Sequence, residues 1–234
     1  MKTEAHAEAR RRGETEGGLE NPPSVWPVGC IGELTVRTQQ RNPGRNPEKR
    51  FRYVDVSSVN NTSFRITKTT ELPGVQAPSR ARKVIRTGDV LFATVRPTLK
   101  RVALVPEELD DQIGSTGFIV LRADASRLDS HYLYYRLLTD EFIERMRELE
   151  RGASYPAVRD SDICNEEIPL PPLAEQRKIA AVLGLVQRAM EQQERLIALT
   201  TELKKALLHQ LFTQGLRGEP QKQTEIGPVP ESWE

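Results

Sequence analysis

The stretch Ile168-Pro169-Leu170-Pro171-Pro172-Leu173 divides the 234-residue sequence into two parts that obey different patterns. Each proline fixes its own φ and biases the residue before it away from helix, so the stretch is rigid and extended. From Leu173 to Gln214 no proline follows, and Gly184 is the only glycine. That span predicts one helix, about 63 Å long at 1.5 Å per residue. Ile179, Val182, Leu183, Val186, Met190, Ile197, Leu203, Leu207 and Leu211, with Gln193 and Thr200 between them, follow steps of three and four and mark a broad face. A small domain cannot cover such a length. The pattern therefore predicts a second long helix alongside, as an antiparallel pair or a coiled coil, with Gln193 and Thr200 setting register at some cost in stability. The bland alternative is a long core helix. Gly215 and Gly218 end it.

Upstream, residues 25–168 read as a β-rich domain with one helical region. Phe51 to Val56 alternates as a half-buried strand should, and Val90 to Val95 is an apolar strand after a Gly88-Asp89 turn. Arg101 to Val105 and Phe118 to Leu121 read as further strands. Asp129-Ser130 is placed to cap a helix running to about Leu149. The expected fold class is α+β: a mixed, β-rich domain followed by one long helix. Residues 1–24 read as a disordered polar tail, 169–216 as the helical spacer, and 217–234 as a linker. Pro230-Glu231-Ser232-Trp233 repeats the P-x-x-W of Pro23-Ser24-Val25-Trp26, so the linker reads as the start of a second repeat.

Composition excludes several classes. Two cysteines, Cys30 and Cys164, without a C-x-x-C spacing argue against a disulfide framework or zinc site and fit a reducing cytosol, so a cytoplasmic location is expected. No apolar run approaches the length of a membrane span. The net charge of +1 hides an asymmetry. Residues 37–101 carry 15 Lys or Arg against 4 Asp or Glu, whereas residues 102–168 carry 7 against 15. A basic half-domain is the footprint of a polyanion site, or else a solvated mixed surface.

Within that half, Arg41, Arg45 and Lys49 surround a Gly/Pro/Asn loop suited to phosphate contact, and Arg80, Arg82 and Lys83 follow a Pro-Ser turn. Arg96, Lys100 and Arg101 lie between two strands. An arginine there is either bidentate to guanine or structural, bridging to a carboxylate. Ser57, Asn60 and Asn61 either meet base edges or build a turn. Ser154 and Tyr155, with Arg159 just beyond, form another candidate loop, whose Tyr either stacks or packs.

Catalytic motifs fail on inspection. Asn21-Pro22-Pro23-Ser24 lacks the aromatic residue that would stack on a target base, and no Gly-rich loop precedes it. Glu202-Leu203-Lys204 falls inside the long helix with no paired acid. There is no phosphate-binding G-x-x-x-x-G-K loop, and His6, His131 and His209 are scattered. A stand-alone enzyme is not expected.

The segment Ile168-Pro-Leu-Pro-Pro-Leu-Ala-Glu-Gln-Arg-Lys-Ile179 closely resembles the junction of specificity subunits of type I restriction-modification systems. Leu207-Leu208-His209-Gln210-Leu211-Phe212, Gly215-Leu216-Arg217-Gly218, Ile226 to Trp233, Ile31-Gly32-Glu33-Leu34 and Gly88 to Phe92 also resemble that family. The resemblance implies a target-recognition domain at 25–168 that reads one half of a bipartite double-stranded DNA target. It implies a long helix that acts as a ruler in an antiparallel pair. It implies no catalytic site or cofactor in this chain; modification subunits carry S-adenosylmethionine and restriction subunits use Mg²⁺ and ATP. The family pattern has two recognition domains and two helices, whereas this sequence carries one of each, so a homodimer through 173–214 is expected. The competing expectation is a coiled-coil scaffold that does not bind DNA.

Overall fold

The structure is a computed structural model and describes residues 26–233. The tail read at 1–24 lies outside the described residues.

Strands β1 (Val28–Cys30) and β2 (Thr35–Val36) open the domain, followed by β3 (Arg50–Val54), β4 (Thr70–Pro73), β5 (Ala81–Ile85), β6 (Val90–Ala93), β7 (Val102–Leu104), β8 (Gln112–Ser115) and β9 (Phe118–Ala123). Three helices come next, α1 (Ser130–Leu137), α2 (Asp140–Glu148) and α3 (Asp160–Cys164), then β10 (Glu167–Pro169) and the long helix α4 (Leu173–Gln214). The hairpin of β11 (Gln221–Thr224) and β12 (Gly227–Pro230) closes the described chain.

Two four-stranded sheets carry the domain. One is antiparallel, in the order β2-β9-β6-β7, and the other is mixed, in the order β4-β3-β8-β5, with β3 and β8 parallel. Strand β6 explains the layering. All four of its residues are buried, and alternate side chains point to opposite faces. Val90 and Phe92 join the core under α1 and α2, while Leu91 and Ala93 join the core shared with Val54 and Ile85 of the second sheet. The β9 strand does the same with Ile119 and Leu121 on one side and Phe118 and Val120 on the other. The first sheet is thus the middle layer.

Three local readings are revised. The strand read at 51–56 stops at Val54 because Asp55 starts a 3-10 turn, its N–H donating to Ser58 Oγ at 3.0 Å. The helix read from 129 to 149 is two helices: Asp129 caps the first, and Thr139 caps the second by accepting from the Phe142 N–H. Within the segment 217–234, read as a linker, residues 221–230 form the β11–β12 hairpin through Gly227 at φ 112°. The segment's Trp233 meets Phe212 edge-to-face with ring centroids 6.3 Å apart.

The junction is fastened at both ends. Strand β1 pairs antiparallel with β10, so the domain's first and last strands meet just before α4. Tyr132 of α1 donates its hydroxyl to Pro169 O at 2.8 Å. Gln176, in the first turns of α4, is fully buried. Its Oε1 accepts from the Asp129 N–H at 2.8 Å, and its Nε2 donates to Arg127 O and Pro171 O. Further along, Glu191 pairs with Arg65 at 2.6 Å. From residue 192 to 212 every residue of the helix is exposed, a rod of roughly 30 Å whose far end meets the hairpin segment at Phe212.

Candidate nucleic-acid interface and partner helix

Four loops converge on one cleft of about 580 Å³, lined by Asp55, Ser57, Arg80, Arg96, Arg101 and Tyr155 among others. Backbone hydrogen bonds hold the loops together. The Arg96 N–H donates to Pro156 O at 2.7 Å, and Val95 bridges to Ala157. The Arg101 guanidinium donates to the carbonyls of Val56 and Val59, tying β7's approach to the turn after β3. Gly152, at φ 95°, turns the 151–157 loop outward; a side chain there would be strained and would crowd Tyr155 O at 3.2 Å.

Arg96 and Lys100 flank a 3-10 turn at Pro97–Leu99, and both adopt left-handed backbone, φ 50° and 51°. Such conformations cost energy for residues with a side chain and concentrate at functional sites. The Arg96 guanidinium sits 5.3 Å from the centroid of the Tyr155 ring, which is 72% exposed. Among the described residues Arg96 has no carboxylate partner and no side-chain hydrogen bond.

Asp55 lines the same cleft. Burial works to raise the pKa of its carboxyl, but hydrogen bonds from the Val56 N–H, Ser57, Tyr53 and Ser115 outweigh it and hold the group below the usual carboxylate range. The cleft therefore carries a fixed anion beside its arginines.

The sequence-selected cations separate into two groups. Arg45, Lys49, Arg80, Arg96 and Arg159 are exposed. Others are engaged internally. Arg41 is bidentate to Asp111 at 2.6 and 3.0 Å, and Lys100 pairs with Asp140 at 2.5 Å. Lys83, whose side chain is only 14% exposed, pairs with Asp160 at 3.0 Å, and Arg82 donates to Ala81 O. Arg101 serves as the loop tie described above. Asn60 Oδ1 caps its own turn by accepting from the Thr62 and Ser63 N–H groups, whereas Ser57, Asn61 and Ser154 are exposed. The structure thus brings Ser57, Arg80, Arg96, Arg101 and Tyr155 to one place and leaves Arg45 and Lys49 on a separate loop. Asp55 was missed by charge counting, which favours cations.

On α4, Ile179 is half-buried against the domain, but Val182, Leu183, Val186, Met190, Ile197, Leu203, Leu207 and Leu211 are exposed, as are Gln193 and Thr200. The threonine hydroxyl donates to Leu196 O at 2.7 Å. Leu185, Leu196, Leu199, Leu208 and Phe212, which the seam pattern omitted, are exposed too and widen the apolar face. Among the described residues no helix is long and apolar enough to cross a membrane, and no group of three His, Cys, Asp or Glu could hold a metal ion.

The model of the type I restriction modification DNA specificity domain matches residues 30–205. The chain belongs to this family. As a specificity-domain protein it is 23% identical over 194 residues to the type I restriction enzyme HindI specificity subunit of Haemophilus influenzae, covering 81% of this chain and 41% of that subunit. It is 31% identical over 121 residues to the MjaVIII specificity subunit of Methanocaldococcus jannaschii, covering 51% and 28%. The crystal structure of the HsdS subunit from Thermoanaerobacter tengcongensis aligns with a TM-score of 0.68 at 42% identity, over 81% of this chain and 49% of that one. A chain from a structure on complex assembly and conformational transition of the type I R-M system aligns with a TM-score of 0.69 at 39% identity, over 91% and 53%. The chain spans about two fifths of the HindI subunit and about half of the two solved chains. Fold and family agree with the expected β-rich domain followed by a long helix.

Proposed function

We propose that this specificity-domain chain is a non-catalytic DNA-reading subunit of a type I restriction-modification complex. Residues 25–168 are the target-recognition domain, 169–216 the spacer, and 217–234 the opening of a second repeat. The domain grips double-stranded DNA through exposed cations, Arg45, Lys49 and Arg159 and, on the lining of the cleft, Arg80, while the other residues of the four-loop cleft meet base edges. Phosphate contacts position such a protein and base contacts specify the sequence.

The observation that carries the reading is the solvent-exposed apolar rod at 192–212, which follows a domain with a cleft lined by three arginines. A second copy running antiparallel would cover the rod isologously and hold two domains at fixed spacing over an interrupted palindrome. Modification subunits would then act on an adenine turned out of the stack, using S-adenosylmethionine, and restriction subunits would use Mg²⁺ and ATP. Catalysis stays in those partners, in the cytoplasm.

The test is methylation sequencing of DNA modified by the full chain with its cognate modification subunit. Methylated adenines within a two-part, symmetric motif are expected. Methylation without a motif, or within an asymmetric one, overturns the reading.

A further inference from the structure

The geometry points to Arg96 as the residue that reads a guanine in the major groove, with Tyr155 as its positioning residue. This rests on the proposed DNA-reading role and assigns one base of the target.

Arg96 combines on one side chain three features that no other cation in its half of the domain shows together. It is exposed, it has no internal anion among the described residues, and it lies over an aromatic ring at 5.3 Å. The Lys83, Arg41 and Lys100 charges are already spent on Asp160, Asp111 and Asp140. A guanidinium over a Tyr face is restrained by cation–π attraction, yet its planar fork of donors remains available at the edge. Guanine presents O6 and N7 as paired acceptors in the major groove, the match for that fork.

The backbone supplies the aim. Arg96 is held in left-handed conformation between a bridge to Ala157 and a 3-10 turn, so its side chain leaves a rigid strand end. The Arg96 N–H bond to Pro156 O fixes the loop that bears the ring.

Asp55 favours a base edge over a phosphate at Arg96. Its carboxylate lines the same cleft. A fixed anion there offers an acceptor to the cytosine amino group, which lies beside the guanine acceptors in the major groove and which a phosphate lacks.

The experiment measures methylation of synthetic duplexes by the full chain with its modification subunit, after the wild-type motif has been determined. The motif is expected to hold a guanine whose discrimination Arg96→Ala lowers by about 5- to 150-fold, the span of one bidentate contact, with the other positions unchanged. Arg96→Lys should recover only part. Tyr155→Phe should keep the preference, and Tyr155→Ala should relax the same position. Replacing that guanine by 7-deazaguanine, which lacks N7, should slow the wild type at least about 5-fold and leave Arg96→Ala unaffected. The deaza arm needs no altered protein, so it stands if a variant fails to fold. A motif that Arg96→Ala leaves intact or relaxes at an A·T pair, or a wild type indifferent to 7-deazaguanine, overturns the inference while DNA reading survives. A wild type with no motif overturns the DNA-reading role itself.

Discussion

The side-chain oxygen of Gln176 accepts the backbone N–H of Asp129 at 2.8 Å, and by that bond the first turns of α4 are stitched to the N-cap of α1. The same amide donates to Arg127 O at 3.0 Å and to Pro171 O at 2.9 Å, so one fully buried side chain satisfies three backbone groups from two elements. A rod that sets the spacing between readers needs a fixed exit angle, and Gln176 is where that angle is made.

Gln176→Leu should therefore be costly despite its similar volume. Leaving a buried polar group without a partner costs about 1–3 kcal/mol, and three groups lose theirs here. A loss of about 3 kcal/mol or more is expected in urea unfolding, read as a lower midpoint at unchanged slope. A loss within experimental scatter would show that water replaces the amide.

The Asp89–Arg122 pair should behave as a buried clasp. Asp89 is 1% exposed, receives two bonds from the Arg122 guanidinium at 2.7 and 2.8 Å, and also accepts from the Arg86 N–H. Removing one partner of such a pair typically costs about 3–5 kcal/mol. Arg122→Met is expected to destabilise by that order, and calorimetric melting checks it.

Acid should loosen the cleft before neutral or alkaline pH does. The Asp55 carboxyl is held below its ordinary range despite burial, because Val56, Ser57, Tyr53 and Ser115 hydrogen-bond its charged form. A depressed folded value contributes stability that is fully present above the unfolded value, near pH 4, and is lost as pH falls through the folded value. Urea midpoints should thus be flat in this contribution from pH 5 to 8 and fall below about pH 4. Asp55→Asn should be less stable at pH 7 and show a shallower acid fall.

Phosphate and base contacts should separate by salt. If Arg80 meets a phosphate, Arg80→Ala weakens DNA binding uniformly across sequences and reduces the slope of log K against log salt by about 1. A change confined to one base position would instead mark it as a base reader.

Much of this fold was legible from local pattern, and the misses share a cause. The α4 bounds follow directly from Pro172 and Gly215, because proline and glycine act on the backbone where they stand. Strand β6 announced itself as an apolar run. The break between α1 and α2 was hidden because Leu138 and Thr139 continue an acceptable helical pattern; only the Thr139 cap reveals it. Which cations were free was not legible at all. Lys83 and Asp160 are 77 residues apart, and Arg41 and Asp111 are 70 apart, so their pairing is a property of the sheets and not of local sequence. Gln176 lay in plain view inside the junction motif, but its three partners appear only once α1 is docked. The Arg96–Tyr155 stack likewise depends on the bridge that brings residue 157 to residue 95.

The most direct test is sedimentation equilibrium of the full chain at micromolar concentration, beside Leu203→Glu. Leu203 is exposed on the rod, and an isologous contact counts each new charge twice. The account requires twice the chain mass for the wild type and at least about a 100-fold weaker association for the variant, some 2.7 kcal/mol, with the domain's melting unchanged. A wild type that stays monomeric, or a variant that dimerises equally well, would contradict it.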